Sequence, residues 1–210
     1  MEHIKRFNKI EINANGEQVI VEGPVSAEQL ADNYMDEELT TFRPALQQYE
    51  ALKEIVASPE GRVIVARVDK RIIGYVTYHY PDELERWSES NIDNLLELGA
   101  IEVIADFRGS GIAQNLLKVT MLDDAMEDYI IIATNYYWHW DLYGTGLTAT
   151  DYRKIINKVM LAGDLEYMPT DDPDICTHSA NCLTVRIGSR VDDDSVRHFD
   201  AIRLKNQYMY

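Results

Sequence analysis

Val103-Ile104-Ala105-Asp106-Phe107-Arg108-Gly109-Ser110-Gly111-Ile112-Ala113 joins the end of an apolar strand, a glycine-bearing turn and the start of an amphipathic helix without a gap. Glycines at 109 and 111 permit left-handed backbone, so consecutive amides can turn toward one anion with no side chain in the way. The helix that opens there adds the positive end of its dipole. Such a cradle suits a pyrophosphate. Two other phosphate cradles are excluded by spacing, because no Gly-Lys-Ser/Thr closes the turn and Gly-x-Gly-x-x-Gly is absent. What remains is Arg-x-x-Gly-x-Ala.

Working outward, the helix behind the cradle carries Ile112, Leu116, Leu117, Thr120 and Met121 on one face, with Asp123, Asp124, Glu127 and Asp128 toward its exposed end. A strand over residues 98–105 leads into the cradle, and a buried strand over 128–134 follows the helix. If those strands are parallel, a right-handed crossover joins them. Upstream, two short apolar runs around Asn13-Ala14-Asn15-Gly16 predict a hairpin, Ser26 caps a helix to about residue 34, and a second helix follows Pro44. Residues 62–68 and 71–80 form the clearest hairpin, with Gly74 marking a bulge or a close approach. Residues 81–94 read as a polar loop or short helix. A helix over about 150–162, strands near 165–168 and 183–190, and a final helix over 193–205 complete the chain.

A length of 210 residues with 46% hydrophobic content fits one α/β domain with a sizeable core, spanning 1–210 with the core at about 19–190. The longest apolar run, residues 129–133, is far short of a membrane span, and the polar start lacks a signal-peptide core, so a cytoplasmic protein is expected. A formal charge of −16 repels nucleic acid and anionic lipid, which leaves neither as a main partner. That field suits a basic or lysine-bearing partner, or serves solubility alone. Cys176 and Cys182, even with His178 between them, match no common zinc or redox spacing. No metal is expected.

The cradle pattern, placed after a strand and opening a helix, resembles motif A of the GNAT N-acetyltransferases, and the order of elements resembles the whole fold. The resemblance implies a mixed central sheet with helices on both faces, here with an extra N-terminal strand and a C-terminal helix. It implies acetyl-CoA as co-substrate, its pyrophosphate held at Arg108, Gly109, Ser110, Gly111, Ile112 and Ala113. Backbone amides of Val103 or Ile104 would then polarise the acetyl carbonyl. Asn135 would reach the pantetheine arm or simply cap its loop.

Acetyl transfer to a lysine needs the neutral amine, yet with a pKa of about 10.4 only roughly one lysine in 2,500 is neutral at pH 7. A carboxylate beside the cradle strand is the economical base. Glu97 and Glu102 are both in range, and on a regular strand they face opposite sides of the sheet. By resemblance to the histone-modifying members, the base lies eleven residues before the first motif position. Counting back from Arg108 lands on Glu97. Glu102 is the second candidate, since a bulge would swap the faces. Otherwise Glu97 is a solvated acid at the strand entry and Glu102 an ion-pair partner of a neighbouring strand. The family's tyrosine acid falls near Val159 and Met160, neither of which donates a proton; Tyr136, Tyr137, Tyr143 and Tyr152 are the nearby substitutes, and a thiolate is a good enough leaving group to need none.

Along nearly its whole length the chain also resembles the bacterial acetoin utilization acetyltransferases, on Glu22-Gly23-Pro24, Thr41-Phe42-Arg43-Pro44, the cradle, the aromatic insert at 136–143, Pro169-Thr170-Asp171-Asp172-Pro173 and Leu183-Thr184-Val185-Arg186-Ile187-Gly188. That resemblance implies acetylation of the active-site lysine of acetyl-CoA synthetase, which switches the synthetase off. Arg43, Trp138, Trp140, Thr170 and His178 become candidate substrate-side residues, against turn stabilisation for Arg43 and Thr170, core packing for the tryptophans and a structural hydrogen bond for His178. A small-molecule amine acetyltransferase and a regulatory acetyl-CoA-binding protein are the alternatives.

Overall fold

The apolar runs around Asn15-Gly16 do form a hairpin: β1 (Asn8–Ala14) and β2 (Glu17–Gly23) pair antiparallel, and both turn residues take positive φ, 53° and 82°. Left-handed backbone at two central residues is what a tight hairpin turn requires. The computed structural model describes residues 1–90 and 92–206, and the chain divides into two compact units. One holds residues 2–79 and 98–126; the other holds residue 1, residues 80–97 and the chain from 127 onward.

In the first unit β2 pairs antiparallel with β4 (Arg62–Val68), which pairs antiparallel with β5 (Arg71–His79). Next in order comes β6 (Leu95–Val103), whose residues from Leu98 onward belong here. Both readings of Gly74 hold. Ala66 faces Gly74 while Arg67 faces Ile72, so Ile73 is the extra residue of a bulge. A Cβ at Gly74 would also lie only 2.9 Å from the Glu102 carbonyl oxygen.

Ser26 caps α1 (Ala27–Ala31) through a reciprocal box with Gln29, but the helix stops well short of residue 34. Tyr34 and Met35 leave it as β3 (Tyr34–Met35), parallel to β5, with the Tyr34 N–H bonded to the Lys70 carbonyl at 3.0 Å. Sheet pairing has overridden weak local helix propensity. α2 (Ala45–Ala57) follows Pro44 as expected. α3 (Ile112–Met121) buries Ile112, Leu116, Leu117 and Thr120 and packs on β1, β2, β4 and β5. Asp123, expected toward the exposed end of this helix, is instead buried, because its carboxylate accepts the N–H groups of Arg6 and Ala125, each at 2.9 Å.

In the second unit the first residues of β6, Leu95 to Glu97, pair parallel with β7 (Ile130–Asn135). The strand therefore starts three residues before the expected point. β9 (Cys182–Ile187) lies antiparallel to β7, and β8 (Glu166–Met168) antiparallel to β9. Between β7 and β9 come α4 (Leu142–Thr145), α5 (Ala149–Met160) and α6 (Pro173–Cys176); α7 (Asp193–Arg203) ends the described chain. Thr148 and Asp192 cap α5 and α7 by accepting backbone N–H groups of Asp151 and Ser195. The core of this unit gathers Trp87, Leu95, Ile130, Ile132, Leu183 and Phe199. Trp87 and Phe199 stack with ring centres 6.0 Å apart, so α7 pins the short helical turn Arg86–Ser90. Among the described residues no helix is long and apolar enough to cross a membrane.

Candidate active site

The cradle forms as the glycine spacing requires. After β6 a single turn over Ala105–Phe107 leads to Gly109 at φ 79° and Gly111 at φ 89°, and Gly111 is the N-cap of α3. No side chain caps that helix. Its first internal bond runs from the Asn115 N–H to the Gly111 carbonyl at 3.0 Å, so the N–H groups of Ile112, Ala113 and Gln114 have no partner one turn back. A Cβ at Gly109 would meet nothing within 4 Å, so the turn is open on that side. Unpaired amides at an open helix N-terminus fit a pyrophosphate. The Ser110 hydroxyl donates to the Phe107 carbonyl at 2.6 Å and the Arg108 Nε to the Val103 carbonyl at 3.3 Å, so both side chains brace the turn.

One expected donor is already engaged. The Ile104 N–H bonds the Ile73 carbonyl at 3.0 Å, which removes it as a group for the acetyl oxygen and leaves Val103. The bulge at Ile73 supplies that carbonyl. Glu102 is buried, and both carboxylate oxygens are occupied: one accepts the Thr41 N–H at 2.8 Å, the other the Tyr75 hydroxyl at 2.9 Å. Burial first, and then the Glu102 charge, holds the Tyr75 phenol far above its usual range, against an opposing effect of Arg43. Arg43 itself is exposed, and its loop meets Glu102 through Thr41. Glu102 thus ties β5 to the 41–44 loop, through hydrogen bonds rather than the ion pair with a neighbouring strand.

Glu97 is different. It is only 6% exposed, which corrects the reading as a solvated strand-entry acid: as third residue of β6 it is the last to pair with β7. Glu97 faces Ile132 in the register, and Thr134, two residues on, donates its hydroxyl to Glu97 Oε1 at 2.9 Å. Burial, then the charge of Glu85, pushes the Glu97 carboxyl up to about 8; the Thr134 bond works the other way, and Asp82 adds to the rise. Thr134, Glu85 and Asp82 carried no sequence signal beyond a polar loop and a strand threonine.

Asn135 does not reach outward. Its side-chain amide donates to the carbonyl of Ala133 at 3.0 Å and lies 3.4 Å from that of Cys182 and 3.2 Å from the Thr184 hydroxyl, closing the β7 and β9 ends. The amide nitrogen is thus satisfied within the sheet. The Thr170 hydroxyl is engaged likewise: it donates to the Arg203 carbonyl at 2.8 Å and accepts the Asp172 N–H at 3.1 Å. His178 accepts the Ala180 N–H on Nδ1 at 3.1 Å and stacks on Tyr137 with ring centres 4.2 Å apart. Thr170 and His178 both line a cavity of about 320 Å³, with Arg153 and Tyr167.

The aromatic insert packs largely on itself. Trp138 stacks on Tyr136 at 4.5 Å and Trp140 on Tyr152 at 5.4 Å, yet Trp138 stays 51% exposed and Tyr143 wholly so. Burial, then Asp172 and Glu85, raises the Tyr136 phenol well above its usual range. Val159 and Met160, where the family's tyrosine was expected, are buried and apolar.

Comparison with known proteins agrees with this geometry. Residues 27–138 match the acetyltransferase (GNAT) family. Over its full length and theirs, the chain is 53% identical to the acetoin utilization protein AcuA of Bacillus licheniformis and 50% identical to that of Bacillus subtilis. It superposes on the crystal structure of the acetoin utilization protein from Exiguobacterium sibiricum 255-15 with a TM-score of 0.96, at 53% identity, covering 99% of this chain and 98% of that one. The chain therefore belongs to the GNAT family and is an acetyl-CoA-dependent acetyltransferase.

Proposed function

We propose that the chain, working as one domain in the cytoplasm, is a protein lysine N-acetyltransferase of acetoin and acetate metabolism whose acceptor is the active-site lysine of acetyl-CoA synthetase. The observation that carries this reading is Glu97: a buried carboxyl hydrogen-bonded to Thr134 and held well above the ordinary carboxylate range. Freeing a lysine amine at pH 7 costs about 4.6 kcal/mol, and a carboxylate of raised basicity is better matched to that proton than an ordinary one. Asp172, Asp174 and Glu85 act on Tyr136, and Glu85 and Asp82 on Glu97, so the surroundings are acidic and favour a cationic side chain.

Acetyl-CoA supplies a thioester whose C–S bond breaks as the amine nitrogen bonds its acetyl carbon. The cradle amides from Gly109 to Ala113 hold the donor's pyrophosphate, the Val103 N–H meets the developing oxyanion, and Glu97 takes the amine proton. Acetylation removes the acceptor lysine's charge and with it that lysine's electrostatic work. A place in acetoin metabolism is supported by the acetoin utilization proteins, similar to this chain from end to end.

Incubation with labelled acetyl-CoA and purified acetyl-CoA synthetase, followed by mass spectrometry, tests the reading. One labelled lysine in the synthetase active site, with loss of synthetase activity, is expected. Label on free polyamines or amino sugars alone overturns it in favour of a small-molecule enzyme. A tight unlabelled complex that survives Glu97→Gln overturns it in favour of a regulatory binder.

A further inference from the structure

The cavity of about 320 Å³ against β8 is an exception to the charge of the chain. The chain carries 36 acidic residues, yet among the described residues that line this cavity none is Asp or Glu, and Arg153 and His178 both stand in its wall. Arg153, on α5, lies over the Tyr167 ring with its guanidinium carbon 5.3 Å from the ring centre, and its Nη1 donates to the Ser179 carbonyl at 2.6 Å. These contacts hold the guanidinium in place without neutralising it: among the described residues no carboxylate pairs with Arg153. The acids at hand are placed otherwise. Asp151, two residues earlier on α5, bonds Lys154 at 2.8 Å. Asp172 caps α6 and lies 3.9 Å from Arg86, and Asp174 is exposed and outside the lining.

His178 adds a second donor. Its Nδ1 accepts the Ala180 N–H at 3.1 Å, so the ring hydrogen sits on Nε2. Two oxygens of the wall are already accepting: Asn181 Oδ1 from the Tyr137 N–H at 3.0 Å, and the Thr170 hydroxyl from the Asp172 N–H at 3.1 Å. Met168, Ile175 and Leu183 supply the apolar part of the wall. A guanidinium without a counter-charge, a neutral donor and an apolar surface in one recess suit an anion that carries a short alkyl chain.

We propose that this cavity is a binding site for a short-chain monocarboxylate: Arg153 pairs with the carboxylate, the His178 Nε2 hydrogen bonds it, and the alkyl chain lies against Met168, Ile175 and Leu183. Arg153 repels an ammonium group, so the recess is not the seat of the acceptor lysine. Glu97 is outside the lining, and the site stands whether or not Glu97 is the base of acetyl transfer. A phosphate would satisfy the charge but leave the apolar wall unused.

The test is titration of the whole nitrogen-15-labelled protein with sodium butyrate, followed by NMR, with acetate, butylamine and inorganic phosphate as parallel probes at constant ionic strength. Butyrate is expected to give saturable shifts at Arg153, Tyr167, His178 and Leu183. Acetate should bind the same residues roughly tenfold more weakly, the loss of two buried methylenes, and butylamine should give no saturable shift. Arg153→Gln is expected to weaken butyrate roughly tenfold or more, with partial recovery in Arg153→Lys, which keeps the charge but not the two-pronged geometry. If Arg153→Gln does not fold, the wild-type series decides: butylamine binding as well as butyrate overturns the proposal. Butyrate shifts that do not saturate, or an affinity unchanged in folded Arg153→Gln, overturn it too. Phosphate binding these residues more tightly than butyrate makes the recess a phosphate site and overturns the carboxylate assignment.

Discussion

The Thr134 hydroxyl donates to Glu97 Oε1 at 2.9 Å, a contact set by the parallel register that places Glu97 opposite Ile132. It is a bond to the charged form of a buried carboxyl, so it opposes the rise that burial and Glu85 impose. Thr134→Val is expected to raise that carboxyl further. The loss of about 1 kcal/mol lowers acetyl transfer at pH 7 roughly fivefold, with recovery at alkaline pH. A rate profile identical to the wild type would remove the bond from the account.

Glu102 sits on the same strand with a different task. Its oxygens accept from Thr41 and Tyr75, so Glu102→Ala leaves a buried hydroxyl and a backbone N–H unpaired. A loss of about 1–3 kcal/mol in unfolding free energy is expected in denaturant titration. Transfer per folded molecule falls far less than in Glu97→Gln. The reverse ranking would make Glu102 the base.

At the cradle, Gly111 holds φ 89°, and an added Cβ would find only Asn115 Nδ2, at 3.8 Å. Gly111→Ala therefore acts through backbone strain of about 1–2 kcal/mol. Acetyl-CoA binding, followed by calorimetry, is expected to weaken roughly tenfold. Unchanged affinity would place the pyrophosphate elsewhere.

Glu127 accepts the Ser189 N–H at 2.7 Å and a bond from Arg186. These bonds, the Ser189 backbone first, hold its carboxyl down at about 2. A folded-state value below the unfolded one of about 4.3 gives stability that is present above that pH and lost as pH falls toward 2. The side chain is 27% exposed, so the contribution is screened to about 1 kcal/mol. Acid unfolding of Glu127→Gln should show a shallower pH dependence between 4.5 and 2, and an unchanged slope would contradict it.

The glycine turn was legible because it is local: a strand, a turn and a helix written in consecutive residues. Thr134 was not, since only the register between strands 37 residues apart brings it to Glu97. Glu85 comes from a polar loop whose sequence does not say which acid folds inward. Ile104, Asn135 and Thr170 share a feature that the sequence does not display. Each carries a donor that resembles a ligand contact in sequence, and each spends it on the fold. The early end of α1 has the same origin, in sheet pairing by Tyr34.

The most direct test of Glu97 as base is the pH dependence of kcat/KM for wild type and Glu97→Gln, measured from pH 6 to 10 on acetyl-CoA synthetase. The wild-type rate is expected to climb tenfold per pH unit and level off near pH 8, where Glu97 is ionised. In Glu97→Gln that limb should vanish and the rate fall by roughly 10²–10⁴. A Glu97→Gln enzyme with the wild-type profile and rate would contradict the account.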